Sequence, residues 1–531
     1  MALLRAAPLL VLLAAGAEAQ TEPPPEGPSE ARPEPQEPAP AALHLDRAFG
    51  DHMVLQRERP IRITGGGAPG EVVTVRLAHR SGRTTCDDQG RFEVTLDPLR
   101  AGGPHTLSVR SGRERLELED ILLGEVWLCA GQSNMRWMLS QSATAAEALA
   151  EADLPELRLL DLVGVGVPNS RPWTDEVLAA CAPETYYRTD GWTPSSAESA
   201  RSFSAVAWFF GRSLQERLGV PVGLIHNAIG GTCTEAYISP EALAAEPRLA
   251  PPEGWLDDAR VPEWPRQRGK QNLARWLAAP REPMPGHPFQ PGFLFEAGIR
   301  PFTGLQLAGA LWYQGESNAT RADMQVAADP ELARLSLETL VRDWRLAFDQ
   351  ADLPFLMVQL PAMQRSWMEY REVQRKVARD PLVELAVTLD LGDPRDVHPR
   401  RKREVGERLA DLALLLHREP DAAPRLSPRV RSAWRSGSEG LVAFDERGGG
   451  LATADGGPVQ GLELQAEDGS WHAATGVQEG TRLRVQAAGV THPQAVRYAW
   501  APVPTANLVG ASGTPVGPFV EVLAAEPEKA Q

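Results

Sequence analysis

The 531-residue chain is predicted to be an α/β protein with a mostly parallel sheet, flanked by small β-sandwich domains at its N- and C-terminal sides. Three observations lead there. Between about residues 120 and 420, apolar runs short enough to be buried strands alternate with amphipathic stretches of helical period. That alternation builds a parallel sheet covered by helices on both faces. On either side of this region, runs of about five residues alternate apolar and polar and are separated by turn-rich clusters, the pattern of small antiparallel sandwiches. The composition is that of a folded protein, 43% hydrophobic and 23% charged, and 47 Gly with 47 Pro allow many turns. At roughly 100–200 residues per domain, the length calls for two to four domains.

In chain order, residues 1–19 read as a secretory signal: Arg5, an apolar stretch through Ala15, then Ala17-Glu18-Ala19 as a cleavage site. This predicts a secreted or periplasmic protein with no membrane span in the mature chain. Residues 20–42, rich in Pro, Glu and Ala, read as a disordered spacer. Residues 43–119 form the first β-domain, with strands at 72–77, 91–96 and 105–109 and turns at Gly65-Gly66-Gly67, Asp87-Asp88-Gln89-Gly90 and Ala101-Gly102-Gly103-Pro104. Residues 120–424 form the α/β domain, with strands expected at 125–130, 157–160, 222–227, 305–313, 355–360 and 385–389. Its helices are expected at 205–218, 332–351 and 402–417. Residues 425–531 return to short strands, at 440–444, 461–466, 482–487 and 495–500.

Charge and cysteine content exclude several functions. With 54 basic and 70 acidic residues the net charge is −16, so no nucleic-acid partner is expected. Cys86, Cys129, Cys181 and Cys233 form no C-x-x-C pair, which argues against a disulfide scaffold and a zinc ribbon. Cys129 reads as a small buried hydrophobe. Lysine occurs only at 270, 376, 402 and 529, arginine supplying the other basic residues.

The chemistry falls at strand ends in the α/β region. The apolar run ending at Ala130 enters Gly131-Gln132-Ser133-Asn134-Met135. A serine there stands at the carboxyl edge of the sheet, where α/β ligand sites form. Met135 occupies the position of the second glycine of a G-x-S-x-G elbow, so this is a different turn, and a helix-capping serine is the competing reading. The run ending at Leu389 enters a loop with Asp390, Asp393, Asp396 and His398. A serine nucleophile needs a base that titrates near neutrality, and that base needs an acid to orient it. His226 lies within an apolar strand and reads as structural. Asn227-Ala228-Ile229-Gly230-Gly231-Thr232 offers backbone N–H groups to a substrate oxygen, and Gln314 and Asn318 offer amide donors after the strand ending at Tyr313.

These four blocks, Gly131 to Met135, Gly230-Gly231-Thr232, Trp312-Tyr313-Gln314-Gly315-Glu316-Ser317-Asn318 and Asp396-Val397-His398-Pro399, resemble those of the sialate O-acetylesterase family of SGNH (GDSL-like) hydrolases. Asp51-His52-Met53-Val54-Leu55-Gln56 resembles the opening of that family's N-terminal β-domain, and Arg497-Tyr498-Ala499-Trp500 its C-terminal strand, so the likeness spans about 44–523. It implies a three-layer α/β/α sandwich with Ser133 as nucleophile and His398 as base. The N–H groups of Ser133 and of Gly230 or Gly231 would form the oxyanion hole, with Gln314 or, alternatively, Asn318. The family's common Asp three residues before His is absent, since Arg395 stands there, leaving Asp396 first and Asp393 second as the acid. Ile229 and Glu296 also depart from the family pattern near the substrate pocket.

The implied activity is hydrolysis of carbohydrate O-acetyl esters through an acetyl-serine intermediate, with no metal and no cofactor. Acetylated sialic acid is the first substrate and acetylated plant polysaccharide such as xylan the alternative. A non-catalytic carbohydrate-binding protein is the lesser alternative. The Asn318-Ala319-Thr320 sequon abuts the third block, where a glycan would crowd the site, and is read as incidental.

Overall fold

In a computed structural model the chain is described over residues 42–321, 326–327, 329–417 and 425–526. The expected signal, and the spacer up to residue 41, lie outside the described residues.

The site is built on one sheet. Its strands are β1 (Glu114–Gly131), β2 (Leu154–Asp161), β3 (Trp192–Ser195), β4 (Val222–Ala228), β5 (Gly309–Tyr313), β6 (Phe355–Val358) and β7 (Val383–Ala386). Their order is β3-β2-β4-β1-β5-β6-β7, parallel except for β3, which runs antiparallel to β2. Alternate residues feed opposite faces, as the pleat demands. Val126, Leu128, Ala130, Trp312 and Met357 join one buried cluster. Trp127, Cys129, Leu311, Tyr313 and Val358 join the other.

Five helices matter here: α1 (Ser133–Arg136), α2 (Ala205–Leu218), α3 (Pro330–Ala347), α4 (Met368–Val377) and α5 (Lys402–His417). Residues of α2 and α5 (Phe210, Leu214, Leu409, Ala413) belong to the second cluster, and residues of α3 and α4 (Leu337, Trp344, Val373) to the first. Both sheet faces are thus covered. The bounds of α2 match the expectation because its stops are local: the Ser204 hydroxyl accepts from the Ala207 N–H at 3.1 Å, and Gly219 adopts φ 64°. Helix α4 was not foreseen. It buries Arg371, Glu372 and Gln374 among its apolar residues, which blurs the hydropathy pattern.

Several expectations are corrected. β1 is one 18-residue strand whose first part pairs antiparallel with Gly102–Ser111 of the N-terminal region. The boundary drawn at 119/120 therefore falls inside a continuous strand. Gly65 and Gly66 lie in the strand Ile61–Gly66 rather than in a turn; a Cβ on Gly65 would meet the His44 carbonyl oxygen at 2.2 Å. Strand β5 begins at Gly309, four residues later than expected, because the Gln350 amide takes both backbone groups of Leu307, at 2.9 and 3.0 Å. Strand β7 ends at Ala386, and Leu389–Leu391 is a short 3-10 turn. The loop to His398 therefore leaves the sheet's edge, not its centre.

Beyond residue 425, Val430–Ser436, Glu439–Phe444, Thr475–Glu479 and Arg482–Gln486 form one four-stranded antiparallel sheet. Leu462–Gln465, Trp471–Ala473, Ala495–Tyr498 and Phe519–Val522 form another. Their shared core (Val442, Leu464, Leu483, Val496, Phe519) also takes in Val387 and Leu389, at the root of the His398 loop.

Candidate active site

Three strand ends meet at one level. Gly131, the last residue of β1, is in register with Ala228 of β4 and with Tyr313 of β5. The chain turns to opposite sides of β1 on leaving it and on re-entering at β5, so this is the sheet's topological switch point. Gly131 has φ 144°, and a Cβ there would sit 2.1 Å from the Tyr313 carbonyl oxygen, so only glycine fits. Gln132 N–H then donates to that same oxygen at 3.1 Å. Ser133 follows as the first residue of α1, where its own N–H has no acceptor within the helix.

Ser133 Oγ lies 2.8 Å from His398 Nε2. The imidazole, 30% exposed, stacks on Trp137 with ring centroids 5.1 Å apart. Burial lowers its pKa below the ordinary histidine value, and the Lys402 ammonium adds to that effect, while Asp396 opposes it. Asp396 is the nearest carboxylate, with Oδ1 4.0 Å from Nδ1, outside hydrogen-bond reach. The same oxygen accepts the His398 backbone N–H at 2.9 Å. Asp393 is spent on its loop, accepting from the N–H groups of Arg395 and Asp396. Asp390 pairs with Arg408 at 2.6 Å.

The second block contributes one close neighbour. A Cβ on Gly230 would meet Ser133 Cβ at 3.4 Å, so Gly230 borders the serine. Gly231 faces Trp264 and Phe289 instead. Gln314 and Asn318, expected to offer an amide donor to the oxyanion, are each bonded to protein acceptors here. Gln314 Nε2 donates to Asn318 Oδ1 at 2.7 Å and to the Thr232 carbonyl at 3.1 Å. Asn318 Nδ2 donates to Glu235 at 3.0 Å. Both are buried braces tying the third block to the second. His226, fully buried, pairs through Nδ1 with Asp161 at 2.6 Å, consistent with a structural role. Cys129 is a free buried thiol, and burial raises its pKa.

Three residues next to the pair were not singled out from sequence. Asn134 Nδ2 donates to Glu316 Oε1 at 2.5 Å and to the Val397 carbonyl at 2.9 Å, while its Oδ1 accepts from Lys402 Nζ at 2.5 Å. All three side chains are buried. A lysine four residues after the histidine, opening an apolar helix in a chain nearly devoid of lysine, was the available signal.

A family model described as carbohydrate esterase, sialic acid-specific acetylesterase, matches residues 295–415, which hold the third block and His398. Human sialate O-acetylesterase is 30% identical over 430 residues, covering 70% of this chain and 72% of that protein. The chain belongs to the sialate O-acetylesterase family. Like its relatives in that family it is a carboxylic ester hydrolase, of the carbohydrate acetylesterase kind. The mouse sialate O-acetylesterase is 29% identical over 404 residues, 68% of this chain and 70% of that one. A solved structure described as a novel carbohydrate acetylesterase from Xanthomonas citri superposes with TM-score 0.72 at 29% identity, covering 90% of this chain and 99% of its own. Ser133 and Gly230 lie outside the segment matched by the family model, and the fold brings them to the part of it that carries His398.

Proposed function

We propose that this sialate O-acetylesterase family member is a secreted serine esterase that removes O-acetyl groups from sialic acids through an acetyl-serine intermediate. The observation that carries the reading is the 2.8 Å contact of Ser133 Oγ with His398 Nε2 at the switch point of the sheet. Helices on both faces of that sheet support the three-layer architecture of SGNH hydrolases, and the shared core beyond residue 425 supports a C-terminal β-sandwich. His398 Nε2 takes the Ser133 proton as Oγ attacks the acetyl carbonyl. The tetrahedral oxyanion is stabilised by the N–H groups of Ser133 and Gly230, each contributing about 3 kcal/mol by the measured behaviour of such donors. Collapse expels the sugar oxygen, which takes the proton from His398. Water, deprotonated by His398, then releases acetate. The signal-like residues 1–19 support export.

Ser133→Ala is expected to abolish acetate release from p-nitrophenyl acetate while leaving the thermal transition intact. A folded variant with wild-type turnover would overturn the assignment. The substrate is decided by comparing acetate release from 9-O-acetyl sialic acid and from acetyl-xylan. A second reading, a broader carbohydrate specificity, is favoured by the likeness to the Xanthomonas carbohydrate acetylesterase. It predicts the higher kcat/KM on the polysaccharide.

A further inference from the structure

The contact between His398 and its nearest acid is loose, yet the imidazole stands within hydrogen-bond distance of Ser133. Something else must hold the loop. Its residue 397 is held by Asn134, the neighbour of the nucleophile, through Nδ2 and the Val397 carbonyl at 2.9 Å. The amide of Asn134 cannot rotate freely, because its two ends face opposite charges. Lys402 Nζ donates to Oδ1 and Glu316 Oε1 accepts from Nδ2. Lys402 is 1% exposed and Glu316 3%, so this charged pair is held away from water with one amide between its members. The ammonium also lies 5.3 Å from the Tyr313 ring centroid and 5.8 Å from that of Trp137, the ring on which His398 stacks.

We propose that Lys402 is a positioning residue for the ester hydrolysis: with Glu316 it locks the Asn134 amide, which clamps the His398 loop beside Ser133. The proposal rests on the assignment of Ser133 and His398 above. Burial of two opposite charges is costly and is retained where it fixes one arrangement among several. Removing Lys402 takes away the cation bonded to Asn134 Oδ1, leaving the side chains of Asn134 and Arg365 as the groups that stabilise the Glu316 carboxylate. The charged groups facing His398 are Asp396 from its own loop, Lys402 from α5, and Arg365 from the loop before α4; Glu316 of the third block faces Lys402. Burial brings the Lys402 ammonium down to about 7, against the pull of Glu316 and Asp396. Its charge is therefore sensitive to any change in this cluster.

The test uses full-length Lys402→Met and the double variant Lys402→Met/Glu316→Gln, which removes both charges and keeps an amide acceptor for Asn134. The kcat and KM for p-nitrophenyl acetate are measured from pH 4 to 9, with Ser133→Ala as the blank that reports on the site assignment itself. In both variants kcat is expected to fall on the order of 100-fold with KM nearly unchanged, the effect of a misplaced base. The acid limb of the kcat/KM profile is expected to move up by about half a pH unit or more, as the imidazole loses a neighbouring positive charge. A folded double variant whose acid limb coincides with the wild type, or whose kcat is unchanged, overturns the proposal. Wild-type turnover in folded Ser133→Ala overturns instead the assignment on which it rests.

Discussion

The His398 imidazole is tuned by burial and by a cation rather than by a bonded acid. Because the His398 pKa is lowered, neutral imidazole persists to lower pH, and the acid limb of kcat/KM is expected below the ordinary histidine value of about 6.5. A midpoint above that value would show that a carboxylate dominates. The 4.0 Å gap to Asp396 carries its own expectation. Asp396→Asn is expected to cost about tenfold in kcat, far less than the roughly 10⁴ seen where the acid bonds the imidazole directly. Asp393→Asn is expected to cost less still, since its carboxylate organises the loop backbone. Steady-state kinetics on both folded variants decide it, and a larger loss at Asp393 would reverse the assignment. Ser133 and His398 stood out as candidates in the sequence because each carries a particular chemistry after a strand, and the fold brings them within 2.8 Å of each other. The partners of Gln314 and Asn318 were not legible, because an amide's type does not reveal what it bonds. Gln314 Nε2 donates to Asn318 Oδ1 and Thr232 O, and Asn318 Nδ2 to Glu235, acceptors that lie elsewhere in sequence or on the same loop.

The turn between β1 and α1 is a tight joint at the head of the site. It needs both a backbone conformation and a clearance that only glycine has at 131. Gly131→Ala is expected to lower stability by about 3 kcal/mol or more, since a Cβ would be driven into the Tyr313 carbonyl. Urea unfolding measures this, and a midpoint equal to the wild type would disprove the constraint. Helices such as α2 and α5 were readable end to end from period and composition. Helix α4 was not, because Arg371 is buried by hydrogen bonds to carbonyls of Leu360, Pro361, Ala501 and Pro502. Two of those acceptors, Ala501 and Pro502, come from another part of the chain and the other two from the loop before the helix, so local hydropathy scores the residue as a surface one.

Over the whole molecule, acid stability is expected to depend on the buried His287. His287 is buried against Trp173, accepts the Phe289 N–H at Nδ1 (3.0 Å) and faces Asn272 Oδ1 with Nε2 (3.2 Å). Nδ1 is an acceptor, so a second proton has no place, and burial lowers the pKa to about 3. The unfolded chain binds that proton below about pH 6.5. Between there and about pH 3 the unfolded state holds more protons, so stability is lost as pH falls, by about 1.4 kcal/mol per unit at most. His287→Gln, measured by denaturant unfolding at pH 4 to 7, is expected to flatten that slope; an unchanged slope would assign acid lability elsewhere. Composition, period and strand-end motifs were enough to specify the α/β class and the ester-hydrolase family and to mark Ser133 and His398 as candidates, because these depend on residue type and near neighbours. Which glycine borders Ser133, how far the acid stands from the base, and how Lys402 reaches Asn134 depend on through-space distances. Those were set when β4, β1 and β5 aligned at Gly131 and the loop from the sheet edge returned across them, bringing together residues up to 268 positions apart.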